Sequence, residues 1–360
     1  MMHVLDVGIL LTMVMVATTI AATPPSGGDS RQTFKVGTAT AARGQKVTGV
    51  IEVPAGVDPA TRIPVAVVHG AKPGPVLALL AGAHGTEYAS IIALEQLIAL
   101  LDPAGISGSV IIVPLENIAS FHQKVPHLNP VDGKNMNRMY PGRLDGTQSE
   151  RAAYVITQQV VDQCDYLIDY HGGDLDENLR TYVYWPVINN EKQDQISREM
   201  ALAFGFDHII ITTDRPKDPA KSMYLENTAS LRGKPSITAE AGYAGTVEPE
   251  DVSGLVNGTL SVMRYLKMLP GIPTVIENPV WVERIAQMNS EQTGIFYPLV
   301  KPGTYAERGM KVGYVTDYVG KTIYEARAPE AGLVLYVCAV PSMAKGETIA
   351  FIGVLRKTGS

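Results

Sequence analysis

Residues 75–101 read as a strand, a glycine-flanked turn and a helix, and this unit constrains the fold more than any other stretch of the chain. Pro75-Val76-Leu77-Ala78-Leu79-Leu80-Ala81 is a short, continuously apolar run, the pattern of a strand buried on both faces. Ile91, Leu94, Ile98 and Leu101 then recur at helical spacing, so 87–101 reads as a helix. Between the two lies Gly82-Ala83-His84-Gly85-Thr86-Glu87, which sets His84 at the carboxyl end of the strand and Glu87 in the first turn of the helix. In open α/β sheets, ligands bind in the crevice at that end of the strands.

A second histidine has the same setting. Residues 164–169 read as another buried strand, and His171 follows its end, ahead of Gly172 and Gly173. Glycines there let the backbone turn sharply and come close to a ligand. Two imidazoles and one carboxylate are the donor set of a catalytic zinc ion, with the fourth position left to water. His84, Glu87 and His171 are therefore the expected ligands of one Zn2+ per chain, although other divalent ions accept the same donors.

Around these sites the chain alternates. Strands are expected at 47–53, 63–68, 76–81, 110–114, 166–169, 208–212 and 236–240, and helices at 87–101, 148–163, 195–204, 222–232 and 249–268. That order predicts an α/β sandwich with a parallel or mixed sheet. After Glu283, glycine or proline punctuates every few residues, with β-prone runs between them, as at 333–340 and 348–354. The expected division is a leader over 1–30, a catalytic α/β domain over 31–285 and a small β-sandwich-like domain over 286–360.

The leader rests on an apolar run from Val7 to Ile20, followed by small residues and Pro24-Pro25. This suits a secretory signal or an N-terminal anchor better than a full membrane span, and predicts export to the periplasm or medium. The net charge of −6 over 360 residues, with no run of lysine and arginine, gives no support for nucleic-acid binding, which wants a basic face. Cys164 and Cys338 are too few for a disulfide framework, and neither has the setting of a ligand or nucleophile.

Two further segments carry chemistry. Asn137 and Arg138 lie in a loop bounded by Gly133 and by Pro141-Gly142. A guanidinium fork matches a carboxylate, and the neighbouring amide adds a donor. Glu240 ends the β-prone run 236–240 just before Ala241-Gly242, where a carboxylate would suit proton transfer or, equally, a structural ion pair.

Taken together, His84-x-x-Glu87, Asn137-Arg138 with Tyr140-Pro141-Gly142, His171 and Thr238-x-Glu240-x-Gly242 resemble the succinylglutamate desuccinylase/aspartoacylase branch of the zinc carboxypeptidase superfamily. The resemblance runs from about residue 75 onward. It implies a zinc-carboxypeptidase-like α/β/α sandwich with a mixed sheet and a small C-terminal all-β domain. It implies zinc on His84, Glu87 and His171, a substrate carboxylate clamped by Asn137 and Arg138, and Glu240 as general base and then acid. Members often carry an upstream arginine that polarises the scissile carbonyl. Lys124 and His127 stand nearest that slot, and Lys124 is expected to supply the charge, as a point charge rather than a fork.

His69, His122, His127 and His208 are expected to be structural or surface residues, and Tyr182, Tyr184 and Trp185 to be strand core. The expected activity is zinc-dependent deacylation of a small N-acyl amino acid, or a related N-acyl amine with a carboxylate. Two alternatives stay open: an exported metallocarboxypeptidase or cell-wall peptide amidase using the same site, and a non-catalytic ligand-binding protein on the same fold. A serine hydrolase is disfavoured, because the chain has no Gly-x-Ser-x-Gly elbow. The acyl group, the amine and self-association into a homo-oligomer are not legible.

Overall fold

The computed structural model describes residues 30–356. The expected leader lies outside the described residues but for Ser30, and the reading of export rests on it. Among the described residues no helix is long and apolar enough to cross a membrane.

One mixed sheet runs through the molecule. Its neighbouring strands, in spatial order, are Val280–Asn289, His208–Thr212, Tyr182–Pro186, Ser236–Glu240, Tyr166–His171, Lys72–Ala81, Ser107–Val113, Thr61–His69 and Gln45–Val53. Ser236–Glu240, Tyr166–His171, Lys72–Ala81 and Ser107–Val113 run parallel, while Ser236–Glu240 and Tyr182–Pro186 are antiparallel.

Helices cover both faces, which explains why the central strands are apolar throughout rather than alternating. Leu77, Leu79, Ile168 and Ile237 pack with Leu94, Leu97, Met200, Leu255 and Val262 of the helices Tyr88–Leu100, Glu191–Phe204 and Pro249–Tyr265. On the other face Val76, Ala78, Leu80 and Leu167 pack with Ala152, Ile156, Leu225 and Ala229 of the helices Gln148–Gln159 and Leu225–Leu231. Strand alternation puts Asp169 and His171 on this second face, in line with Leu167.

The expected boundary at 285–286 falls inside the strand Val280–Asn289. Val280 to Val282 pair with His208–Thr212 of the α/β sheet, and Val282 onward pairs with Thr348–Leu355. This strand holds no glycine or proline to interrupt pairing, so one ladder carries the C-terminal strands onto the α/β sheet. Beyond it the C-terminal strands enclose their own core of Phe296, Val312, Val315, Ala326, Val334 and Ile349, and a second small sheet is formed by Gly294–Pro298, Lys311–Thr316, Thr322–Arg327 and Ser342–Met343. Cys164 and Cys338 are both buried and free.

Candidate active site

Parallel pairing of Ala81 with Tyr170 brings the ends of two strands side by side, so the turn at 82–87 and His171 meet. Close approach of backbones accounts for the glycines here. A Cβ at Gly85 would lie 2.3 Å from the Phe121 nitrogen, and one at Gly172 would lie 2.3 Å from the Ala241 carbonyl oxygen. These glycines make room for neighbouring chain, not for a ligand.

Glu87 occupies the N-cap position of the helix Tyr88–Leu100 but makes no capping bond. Its carboxylate instead serves the two histidines. Oε1 accepts a hydrogen bond from His84 Nδ1 at 2.6 Å, and Oε2 accepts one from His171 Nδ1 at 2.9 Å. The imidazole rings are 5.0 Å apart, and one donor atom from each of the three residues falls within 4.8 Å of the others. All three side chains are buried. Burial alone would raise the Glu87 pKa, but His171 and His84 outweigh it and hold the carboxyl at about 2. The same pairing, with Asp169 adding to it, holds the His171 imidazolium well above the usual histidine range despite burial.

Each imidazole is also fixed from behind. His84 Nε2 lies 3.1 Å from Asn135 Oδ1, and His171 Nε2 lies 3.0 Å from the Asn137 carboxamide and 3.4 Å from Asp169 Oδ1. Both Asp169 oxygens are buried without a hydrogen-bond partner. Nearby, Tyr140 donates to buried Glu116 at 2.5 Å, and burial with the neighbouring Asp169 pushes the Glu116 carboxyl up to about 8.

Glu240 pairs in register with His171 on the adjacent parallel strand, so both side chains reach the same end and face of the sheet. Burial drives its pKa well above the carboxylate range; His171 pulls against that shift, while Glu87, Glu177 and Asp169 add to it. Asn137 and Arg138 sit on a single 3-10 turn, Met136–Arg138. Asn137 is buried against His171, and Arg138 is exposed at the cleft wall with its guanidinium 4.5 Å from the Tyr224 ring.

Lys124 is not part of this arrangement. It is exposed, caps the helix Ile118–Gln123 in a left-handed conformation, and does not line the cleft. The chain then turns back, with Val125 donating to the Ser120 carbonyl, and delivers His127 to the cleft instead. The His127 ring is 5.7 Å from that of His84. Its Nε2 bonds Asp176 at 2.9 Å, and its backbone N–H donates to Asp174. Burial opposes protonation here, but Asp176, Glu177 and Asp174 outweigh it and bring the pKa to about 10. A histidine with no glycine-flanked strand end beside it gave no motif to read. The acidic run Asp174, Asp176, Glu177 that charges it comes from a loop far off in sequence.

The cleft has a volume of about 680 Å³ and is lined by His84, Glu87, His127, Asn137, Arg138, His171 and Glu240 together with Tyr182 and Tyr184. That is the size of a small-molecule site. Leu179, Ile285, Tyr336 and Phe351 form its apolar wall, so the C-terminal strands contribute to the cleft. Tyr182 and Tyr184, expected as strand core, are in a strand and also face this cavity.

Residues 73–266 match the succinylglutamate desuccinylase/aspartoacylase catalytic domain. An N-alpha-acetyl-L-2,4-diaminobutyric acid deacetylase of Halomonas elongata is 28% identical over 299 residues, covering 81% of this chain and 86% of that protein. Among solved structures, a product-bound ectoine utilization protein of Ruegeria pomeroyi superposes with a TM-score of 0.77 at 24% identity, over 86% of this chain and 95% of that one. A succinylglutamate desuccinylase from a Silicibacter species gives a TM-score of 0.78 at 22% identity, over 90% of this chain and 100% of that one, and so shares the fold. With more than half of its length matched by the catalytic domain, the chain belongs to the succinylglutamate desuccinylase/aspartoacylase family.

Proposed function

We propose that this protein is a zinc-dependent deacylase that hydrolyses the amide bond of a small N-acyl amino acid, or of a related N-acyl amine bearing a carboxylate. The observation that carries this reading is the convergence of His84 Nδ1 and His171 Nδ1, 87 residues apart in sequence, on the two oxygens of Glu87 at the floor of the cleft. The deacetylase from Halomonas elongata, named for an N-acetyl amino acid, supports the substrate class.

The residues fit a metal ion. Once deprotonated, two imidazole nitrogens and a carboxylate are all lone-pair donors, and facing one another they suit a shared cation. With Nδ1 given to a cation, the remaining proton of His171 would sit on Nε2, between the Asn137 carboxamide at 3.0 Å and Asp169 at 3.4 Å, whose oxygens have no hydrogen-bond partner. Zinc held by His84, Glu87 and His171 would supply Lewis acidity, making a water molecule far more acidic at neutral pH.

The chain's own groups supply the rest. Glu240 takes the proton of the attacking water and returns it to the departing amine. Asn137 and Arg138 hold the substrate carboxylate, which fixes the amide against the floor. His127, protonated between Asp176 and Asp174, sets its positive charge beside the floor, where it would stabilise negative charge developing on the carbonyl oxygen. Replacing His127 by Ala is expected to lower kcat by about 10²–10³-fold, the effect of removing one such stabilising group. Lys124→Ala is expected to stay within about twofold of wild type. Steady-state kinetics on the pair checks the assignment, and equal losses in both variants would refute it.

Release of free amine from a panel of N-acetyl and N-succinyl amino acids, set against short peptides with free C-termini, tests the function. Turnover confined to the acyl amino acids is expected. Turnover confined to the peptides would favour a carboxypeptidase, and saturable binding without turnover would favour a ligand-binding protein.

A further inference from the structure

Arg215 has no role in the reaction as described, yet it is built into the cleft wall. It follows the strand His208–Thr212, which runs antiparallel to Ser236–Glu240, and the loop after that strand brings it into the cleft lining. Its side chain is 20% exposed, and its Nε donates at 2.8 Å to Glu226, which is 1% exposed in the first turn of the helix Leu225–Leu231. The guanidinium carbon lies 3.9 Å from the Tyr224 ring centroid and 5.7 Å from that of Tyr184. One acid and two rings thus hold the fork in a single orientation. Among the described residues neither of its Nη groups has a hydrogen-bond partner.

Arg138 lies over the same Tyr224 ring, its guanidinium carbon 4.5 Å away, and its Nη1 donates to the Asn137 carbonyl. Both guanidinium groups thus pack against one ring, and both residues line the same cleft, where a carboxylate is the ligand that guanidinium forks match. Two cations sharing one ring repel each other. Glu226 neutralises Arg215, with Asp214 adding to it, whereas among the described residues Arg138 has no acidic partner and keeps its charge at the cavity wall.

We propose that Arg215 is the second arm of the substrate-carboxylate site, so that the carboxylate is shared between the forks of Arg138 and Arg215. This rests on the deacylase reading for the identity of the substrate, but not for the existence of the anion site. Arg215 is a specificity-determining residue: it selects substrates whose amine portion carries a carboxylate and acts on binding rather than on the proton transfers.

The test compares N-α-acetyl-L-2,4-diaminobutyrate with N-acetyl-1,3-diaminopropane, the same compound without its carboxylate. In Arg215→Gln the ratio of kcat/KM values for the two is expected to fall about 10- to 100-fold, the worth of a charged hydrogen bond, with the loss falling on KM. Arg215→Lys, which keeps the charge without the fork, is expected to recover part of it. An unchanged ratio, or a loss shared equally by both compounds, would overturn the proposal.

Titration calorimetry of the carboxylate compound against metal-free protein separates this from the deacylase reading. Saturable binding to wild type, weakened about 10- to 100-fold in Arg215→Gln, upholds the anion site even where no hydrolysis occurs. Binding unaffected by the substitution, or no saturable binding to wild type, overturns it and leaves the deacylase reading to the turnover screen.

Discussion

Glu240→Gln is expected to give a folded protein with its full metal content and a kcat lower by about 10²–10⁴-fold, the range for a lost general acid–base group. The substitution preserves shape, so a loss cannot be ascribed to a cavity or a displaced strand. It removes only the capacity to carry a proton. Glu240 lies in register with His171 across a parallel ladder, and its backbone is locked between the strands Tyr166–His171 and Tyr182–Pro186. Its carboxyl is therefore held near the floor of the cleft by the sheet itself.

The pH profile gives an independent reading of the same residue. Burial raises the pKa of Glu240, so without a cation in the site the acid form predominates at neutral pH. A cation on the neighbouring ligands favours the carboxylate and brings that pKa down. Catalysis needs the carboxylate first, so kcat/KM should fall as pH drops through the lowered value. In the glutamine variant that acid limb should be missing from the residual rate. A variant retaining more than about a tenth of wild-type activity, with its acid limb intact, would show that another group carries the proton.

The floor of the cleft was legible because its residues fall where strands end. Short apolar runs fix strands 72–81, 166–171 and 236–240, and a polar residue just past such a run has to emerge at the sheet's carboxyl end. His84, Glu87, His171 and Glu240 all obey that rule. Lys124 does not, and it is exposed in the structure. Its neighbour His127 reaches the cleft only through a reversal at 124–127, with left-handed backbone at both ends of that turn, which no periodicity announces.

Arg215 and Tyr224 escaped notice for a similar reason. They flank an irregular loop, and their importance lies in packing against Arg138 from a distant segment. The same limit explains the C-terminal boundary. Glycine and proline spacing marks where β-rich chain begins, whereas the hydrogen-bond ladder that joins the strand Val280–Asn289 to His208–Thr212 depends on which edges meet in space.

Metal removal should have the widest consequences of all. Wild-type protein is expected to hold about one zinc per chain, to lose its activity to a chelator, and to recover it on addition of Zn2+. Metal uptake should release protons and tighten with rising pH. In the metal-free site His171 is held protonated well above the usual histidine range by Glu87 and Asp169, and that proton competes with the ion. Raising the pH removes the competitor, so affinity measured from pH 6 to pH 8 should climb by about tenfold per unit for each proton displaced.

His171→Ala tests the same cluster from the protein side. It deletes one ligand and also strands the buried Glu87 carboxylate, whose pKa of about 2 depends first on His171 among its neighbouring charges. A depressed carboxyl pKa contributes stability above the unfolded value and loses it as pH falls toward the folded one. The variant should forfeit that contribution at neutral pH, at a cost of about 3–5 kcal/mol for breaking a buried pair. Glu87→Gln added to His171→Ala removes the stranded charge and should restore part of the lost stability without restoring metal. Urea unfolding of metal-free wild type, single and double variants, alongside their zinc content, separates the two effects. If His171→Ala still bound zinc stoichiometrically and with wild-type affinity, the ion would have to be held elsewhere, and the proposed chemistry at this floor would fail.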